Sequence, residues 1–145
     1  MKTVRHCVGV VCSCAIALLS NQAQAATSLS INDNAKLANN HLVVTVTGSY
    51  SCGLDAFGQP ETIALVISVK QAAGKSIAFG SRSLTPVCDG TQKQFSIEVV
   101  AQSDSGGNVS APFHGGPARV EALAFVTSGN DVTFGQNISL TGGDK

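Results

Sequence analysis

Beyond its first 25 residues the chain holds two histidines, His41 and His114, and either could act as a base or a metal ligand if the fold gave it partners. A hydrolase needs a hydroxyl or thiol activated by such a base, itself oriented by a third group. Ser105 or Ser110 with His114 and Asp104 can be drawn as such a triad. There is no Gly-x-Ser-x-Gly elbow to hold a serine up for attack, and loop serines beside a loop histidine ordinarily serve turns. No catalytic residue is assigned. His41, Asp104 and His114 also lack the His-x-x-x-His or Cys-x-x-Cys spacing of a metal site, so no metal and no cofactor is expected. The acidic residues are Asp33, Asp55, Glu61, Asp89, Glu98, Asp104, Glu121, Asp131 and Asp144. They are scattered, and the turn-forming duties of Asp89, Asp104 and Asp131 account for those three, so no glycosidase pair emerges. Asn108-Val-Ser110 and Asn137-Ile-Ser139 match the glycosylation sequon, a coincidence easily met in a chain rich in Ser and Asn.

Five cysteines remain: Cys7, Cys12, Cys14, Cys52 and Cys88. Their use depends on the leader. Lys2 and Arg5 form a short basic segment, residues 7–19 an apolar run, and Ala23-Gln24-Ala25 a small-x-small cleavage signal. This is a secretory signal peptide over residues 1–25, with cleavage expected before Ala26. The apolar run falls short of the ~20 residues that span a bilayer, and nothing later reaches that length, so no membrane span is expected after cleavage. Lipidation at Cys12 or Cys14 is disfavoured, because Val11 stands where a lipobox places Gly or Ala. Cleavage removes three cysteines and leaves Cys52 and Cys88, an even pair in an oxidising compartment and hence a disulfide. It also leaves seven basic against nine acidic residues, neither clustered, which excludes a nucleic-acid groove or an anionic-membrane surface.

Residues 26–145 are long enough for one domain with its own core. The positioning elements are strands. From Leu42 to Cys52 one parity reads Leu42, Val44, Val46, Gly48, Tyr50, Cys52 and the other Val43, Thr45, Thr47, Ser49, Ser51, which is the pattern of a half-buried strand. Thr27 to Ile31 is a short first strand, with a turn at Asn32-Asp33-Asn34. Residues 35–40 carry no clear pattern, and residues 53–60 are a loop. Ile63, Leu65, Ile67 and Val69 share an inward parity. A weaker strand bears Ile77 and Phe79, with Phe79, like Tyr50, Phe95 and Phe134, placed inward; Pro86 puts this segment at a sheet edge. Phe95, Ile97, Val99 and Ala101 form the next inward set, then Ala118, Val120, Ala122, Ala124 and Val126, then Val132, Phe134, Ile138 and Leu140. About seven strands, no helix and turns every ten or so residues predict an all-β fold, an antiparallel Ig-like β-sandwich with one disulfide.

Two features stand out from this scaffold. Leu123 and Phe125 fall on the outer parity of their strand beside Arg119 and Glu121, where they mark either a contact surface or ground covered by the long loop. That loop, residues 102–116, exceeds the usual connection length. It reads as a binding loop carrying Ser103, Asp104, Asn108, Phe113 and His114; the competing account tucks Pro112-Phe113 back on the sandwich edge.

The segments Val46-Thr-Gly-Ser-Tyr-Ser-Cys52, Val87-Cys-Asp-Gly-Thr91 leading into Phe95-x-Ile-x-Val99, and Phe113-x-Gly-Gly-Pro-Ala118-x-Val-x-Ala122 resemble a family of small secreted actinobacterial proteins classed as a domain of unknown function. Phe95 stands where such proteins usually carry tryptophan. The resemblance implies a secreted β-sandwich with one disulfide and no particular activity.

With six Phe, one Tyr and no Trp, a flat aromatic platform for sugars is poorly supplied. The reading is therefore a secreted, non-enzymatic module that binds an extracellular protein or an envelope component, with Phe57, Phe113 and Phe125 free for contact. A small-ligand or carbohydrate carrier, or a hydrolase using loop Ser and His, are the alternatives. Thiol titration of the denatured, unreduced mature protein is expected to find no free thiol. Two free thiols would remove the Cys52–Cys88 bridge, for which loop-closure entropy gives about 3–4 kcal/mol.

Overall fold

The alternation beginning at Leu42 becomes a nine-residue strand with one neighbouring ladder along its whole length. The computed structural model describes residues 27–55, 57–61, 63–103, 111–126 and 131–143, and these contain eight strands and no helix. They are β1 (Ser28–Ile31), β2 (Asn34–Leu37), β3 (Val43–Ser51), β4 (Ile63–Ala73), β5 (Ser76–Leu84), β6 (Gln92–Val100), β7 (Gly116–Val126) and β8 (Val132–Gly142).

The strands form two groups around one core. β3 pairs antiparallel with β6 from Val43↔Val100 to Ser51↔Gln92. On its other side it pairs with β1 and, further along, with β2. The second group runs β8-β7-β4-β5, all antiparallel. The unpatterned residues 35–40 thus contain a strand, and β2 is also where the expectation of a wholly antiparallel fold is corrected. β2 runs parallel to β8, from Asn34↔Ser139 to Leu37↔Gly142. The chain takes on this second neighbour at Asn32 and Asp33 while keeping β3 on its other side. Asn32 N–H still donates to Thr47 O of β3 at 2.9 Å, while Ser139 N–H of β8 already donates to Asp33 O at 2.8 Å. Gln136 Nε2 donates to Ile31 O at 2.9 Å across the same seam.

The opposite flank closes at a single bridge, Gly80↔Ala101. Gln102 reinforces it, donating its N–H to Phe79 O at 2.8 Å and its Nε2 to Ser81 O at 2.9 Å. A Cβ at Gly80 would lie 2.5 Å from Val100 O and 2.7 Å from Val99 Cγ1. This crowding reverses the expected parity of β5. Ala78 and Gly80 face inward, whereas Phe79 pairs with Lys70 on the outer face and Ile77 is 65 % exposed. As Pro86 suggested, β5 ends the sheet path, with its outward carbonyls at Phe79 and Ser81 occupied by Gln102.

Between the groups lie Val44, Val46, Ile63, Leu65, Val99 and Val120, with their like-parity neighbours. Cys52 and Cys88 close one end, with S–S 2.07 Å, tying the end of β3 to the turn before its partner β6. Gly80→Ala is expected to lower unfolding free energy by about 1–3 kcal/mol, read from the urea midpoint, because backbone and a core valine must move to admit one methyl. The same change at the open turn glycine Gly58 meets no neighbouring atom and serves as the strain-only control.

Candidate functional site

β4 keeps its inward parity one step beyond Val69, and the next inward residue is polar. Gln71 is 3 % exposed, yet every polar group of its side chain has a partner. Nε2 donates to His114 O at 2.8 Å and to Pro117 O at 3.2 Å, and Oε1 accepts from His114 N–H at 2.9 Å. A single amide thereby fastens the chain as it enters β7.

His41 holds the preceding residue. Its φ is 57°, in the left-handed region that histidine tolerates better than most. His41 O accepts from Phe113 N–H at 2.8 Å, and His41 Nδ1 lies 3.0 Å from Phe113 O, a pair that requires the hydrogen on Nδ1. Phe113 is 1 % exposed and packs in the core. This corrects the expectation that Phe113 is free for contact: it anchors the loop's end, as the alternative account had it. His114 is exposed, with Nε2 3.0 Å from Ala72 O and Nδ1 3.2 Å from Gly115 O. Ser103 is exposed, while Asp104 and Asn108, with Ser105 and Ser110, lie outside the described residues. The two histidines are therefore engaged with backbone carbonyls. Among the described residues no three of His, Cys, Asp and Glu converge as metal ligands, and no helix is long and apolar enough to cross a membrane.

At the disulfide end, Asp89 Oδ1 accepts from Thr91 N–H at 3.0 Å and from Thr91 Oγ1 at 2.6 Å, and Asp89 Oδ2 lies 2.7 Å from Lys93 Nζ. The Lys93 ammonium and the two Thr91 donors hold the Asp89 carboxyl down at about 2. Beyond Cys52 a small hairpin is closed by the bridge Leu54↔Pro60. Asp55 braces it from within, accepting Phe57 N–H and Gln59 N–H on Oδ1, each at 2.8 Å. Phe57 stands at its tip, 88 % exposed.

The outer face of β4, β7 and β8 carries the remaining feature. Register places Ser68 beside Glu121 and Val66 beside Leu123. Across β7, Glu121 faces Gly135 and Leu123 faces Thr133. Gly135 has no side chain there, and a Cβ would stand 2.9 Å from Arg119 Nη2. The result is a hollow of about 420 Å³ lined by Val66, Arg119, Glu121, Leu123, Thr133 and Gly135. Lys70 Nζ and Arg119 Nε both reach Glu121, at 2.9 and 3.3 Å, and lower its carboxyl, Lys70 more than Arg119. Leu123 is half-buried and Phe125 is 45 % exposed, so neither is deeply buried. Gln71 was recoverable from its parity in β4. The hollow was not, because nothing local announces that Gly135 stands opposite Glu121.

No family model and no curated protein sequence matches the chain. Among solved structures it is similar to a β-glucosidase from Listeria innocua in complex with gluconolactone, at 11 % identity and TM-score 0.40, covering 81 % of this chain and 16 % of that one. It is also similar to Spo0M, a sporulation control protein from Bacillus subtilis, at 14 % identity and TM-score 0.39, covering 80 % and 49 %. The chain thus spans less than half the length of either.

Replacing Gln71 with Leu leaves His114 N–H and two buried-side carbonyls without partners. It is expected to destabilise the fold by about 1–3 kcal/mol and to speed hydrogen exchange at the Phe113 amide, measured by denaturation and by NMR.

Proposed function

We propose that this protein is a secreted, non-enzymatic β-sandwich module of Ig-like arrangement that acts by binding another protein through the outer face of β4, β7 and β8. The observation that carries the reading is the exposure of Phe125 beside a hollow lined by the half-buried Leu123 and by Val66. On a two-group fold with one inner core, apolar side chains on an outer face contribute little to folding and suit a contact surface. Lys70, Glu121 and Arg119 give that surface a polar margin, in keeping with the usual anatomy of an interface.

The non-enzymatic part rests on the histidines. A general base needs an open lone pair aimed at a hydroxyl. Both ring nitrogens of His114 face carbonyl oxygens, and His41, with Nδ1–H committed to Phe113 O, has its lone pair on Nε2, to which no hydroxyl is hydrogen-bonded among the described residues. A protein contact is preferred over a sugar platform because Phe125, Phe79 and Phe57 sit on three different elements, with no tryptophan beside them. The disulfide suits an extracellular or envelope setting.

Mature protein used as bait on culture supernatant and cell-wall fractions is expected to retain a defined protein partner. The double variant Leu123→Glu, Phe125→Ser should retain it roughly tenfold less while melting within a few degrees of the parent. Undiminished capture by the double variant would remove the outer face from the reading.

A further inference from the structure

We infer that the outer face receives the hairpin tip of a second copy of this chain, Phe57 of one molecule seating in the hollow of the next. This rests on the outer face being the contact surface, and it names the occupant. The first ground is the construction of the tip. Phe57 contributes almost nothing to the core, yet four hydrogen bonds order the turn that displays it: Asp55 N–H to Gln59 O at 2.7 Å, Gly58 N–H to Asp55 O at 3.0 Å, and the two donations to Asp55 Oδ1. The hairpin's base follows directly from Cys52, with Glu61 N–H donating to Gly53 O at 3.4 Å. A turn already ordered before contact has little backbone entropy left to lose on binding, which favours the residue at its tip as an interface anchor.

The second ground is the match. The hollow falls within the volume range of pockets that enclose small ligands, and the Arg119 guanidinium lies over Gly135 at its edge. Val66 and Leu123 are the apolar side chains that a phenyl ring would meet there. Charge agrees as well. Asp55 and Glu61 flank Phe57, whereas Lys70 and Arg119 outnumber Glu121 beside the hollow. Phe57 does not line its own molecule's hollow and is 88 % exposed, so the contact can form only between molecules. Tip and hollow are different patches. The interface is heterologous, and it generates an open chain or a ring rather than a two-fold dimer.

Sedimentation velocity of the mature protein from micromolar to millimolar concentration tests this. The parent should show a mass that climbs past the dimer as concentration rises. Phe57→Ser, which disables only the tip, and Thr133→Glu, which fills and recharges only the hollow, should each weaken association roughly tenfold or more. Both positions are exposed, and unchanged melting temperatures will show that both variants fold. An equimolar mixture of the two should then form a one-to-one pair that grows no further, since one intact tip meets one intact hollow. A parent that stays monomeric throughout overturns the inference, as does a Phe57→Ser variant that associates like the parent. If Thr133→Glu abolishes association and Phe57→Ser does not, the tip is wrong and the outer face stands. Binding of the parent but not Phe57→Ser to phosphatidylcholine vesicles, without self-association, also overturns it.

Discussion

At Gly80 two backbones come closer than a methyl group would permit, and much of the molecule follows from that approach. β5 meets the end of β6 there, so its inward positions must be small, and they are Ala78 and Gly80. The larger residues of the strand, Ile77 and Phe79, are driven outward by alternation alone. The outer face of the β8-β7-β4-β5 group therefore gains two apolar side chains for a packing reason on the opposite side. Gly48 marks a second tight place, where a Cβ would press on Ser30 O and on the Phe95 ring at 2.7 Å. With Val99 filling the space that a larger β5 residue would claim, the core is complete without those outward side chains.

What could be read in the sequence was what is written locally. β4, β6 and β7 each bury one parity cleanly, and β3 does so except at Ser49, so their inward residues and the position of Cys52 followed from alternation. β5 reads the same way locally but is inverted, because its parity is decided by Val99 and Val100 from another strand. β2 has four residues, too few to show a period, and its neighbour β8 lies a hundred residues along the chain. Phe113 offered no local sign either. Its burial depends on Gln71 and His41, whose own hydrogen bonds make sense only once β4 and the turn before β3 are side by side. The outer hollow depends likewise on the register of three strands.

The polar groups divide into two kinds. Gln71 is buried and saturated, so it fixes one path for the chain and would be costly to lose. Lys70, Glu121 and Arg119 are half-exposed, and ion pairs in such a setting contribute little to stability. Their effect falls on whatever approaches the outer face, and it weakens as salt rises. The two kinds sit on opposite faces of one strand, Gln71 inward and Lys70 outward, so fold-keeping and surface chemistry can change independently.

The parallel ladder between β2 and β8 has a mechanical consequence. β1 starts opposite Ser51, near the disulfide, while β8 ends opposite Leu37, toward the pole that holds His41. The two ends of the described chain thus leave from opposite poles. Tension applied between them draws β2 backward and β8 forward along their shared axis. All four paired positions, Asn34↔Ser139 to Leu37↔Gly142, are then loaded in shear at once instead of opening one after another like a zip. Pulled lengthwise, the molecule loads this short ladder in shear together with the β1–β3 ladder that precedes it.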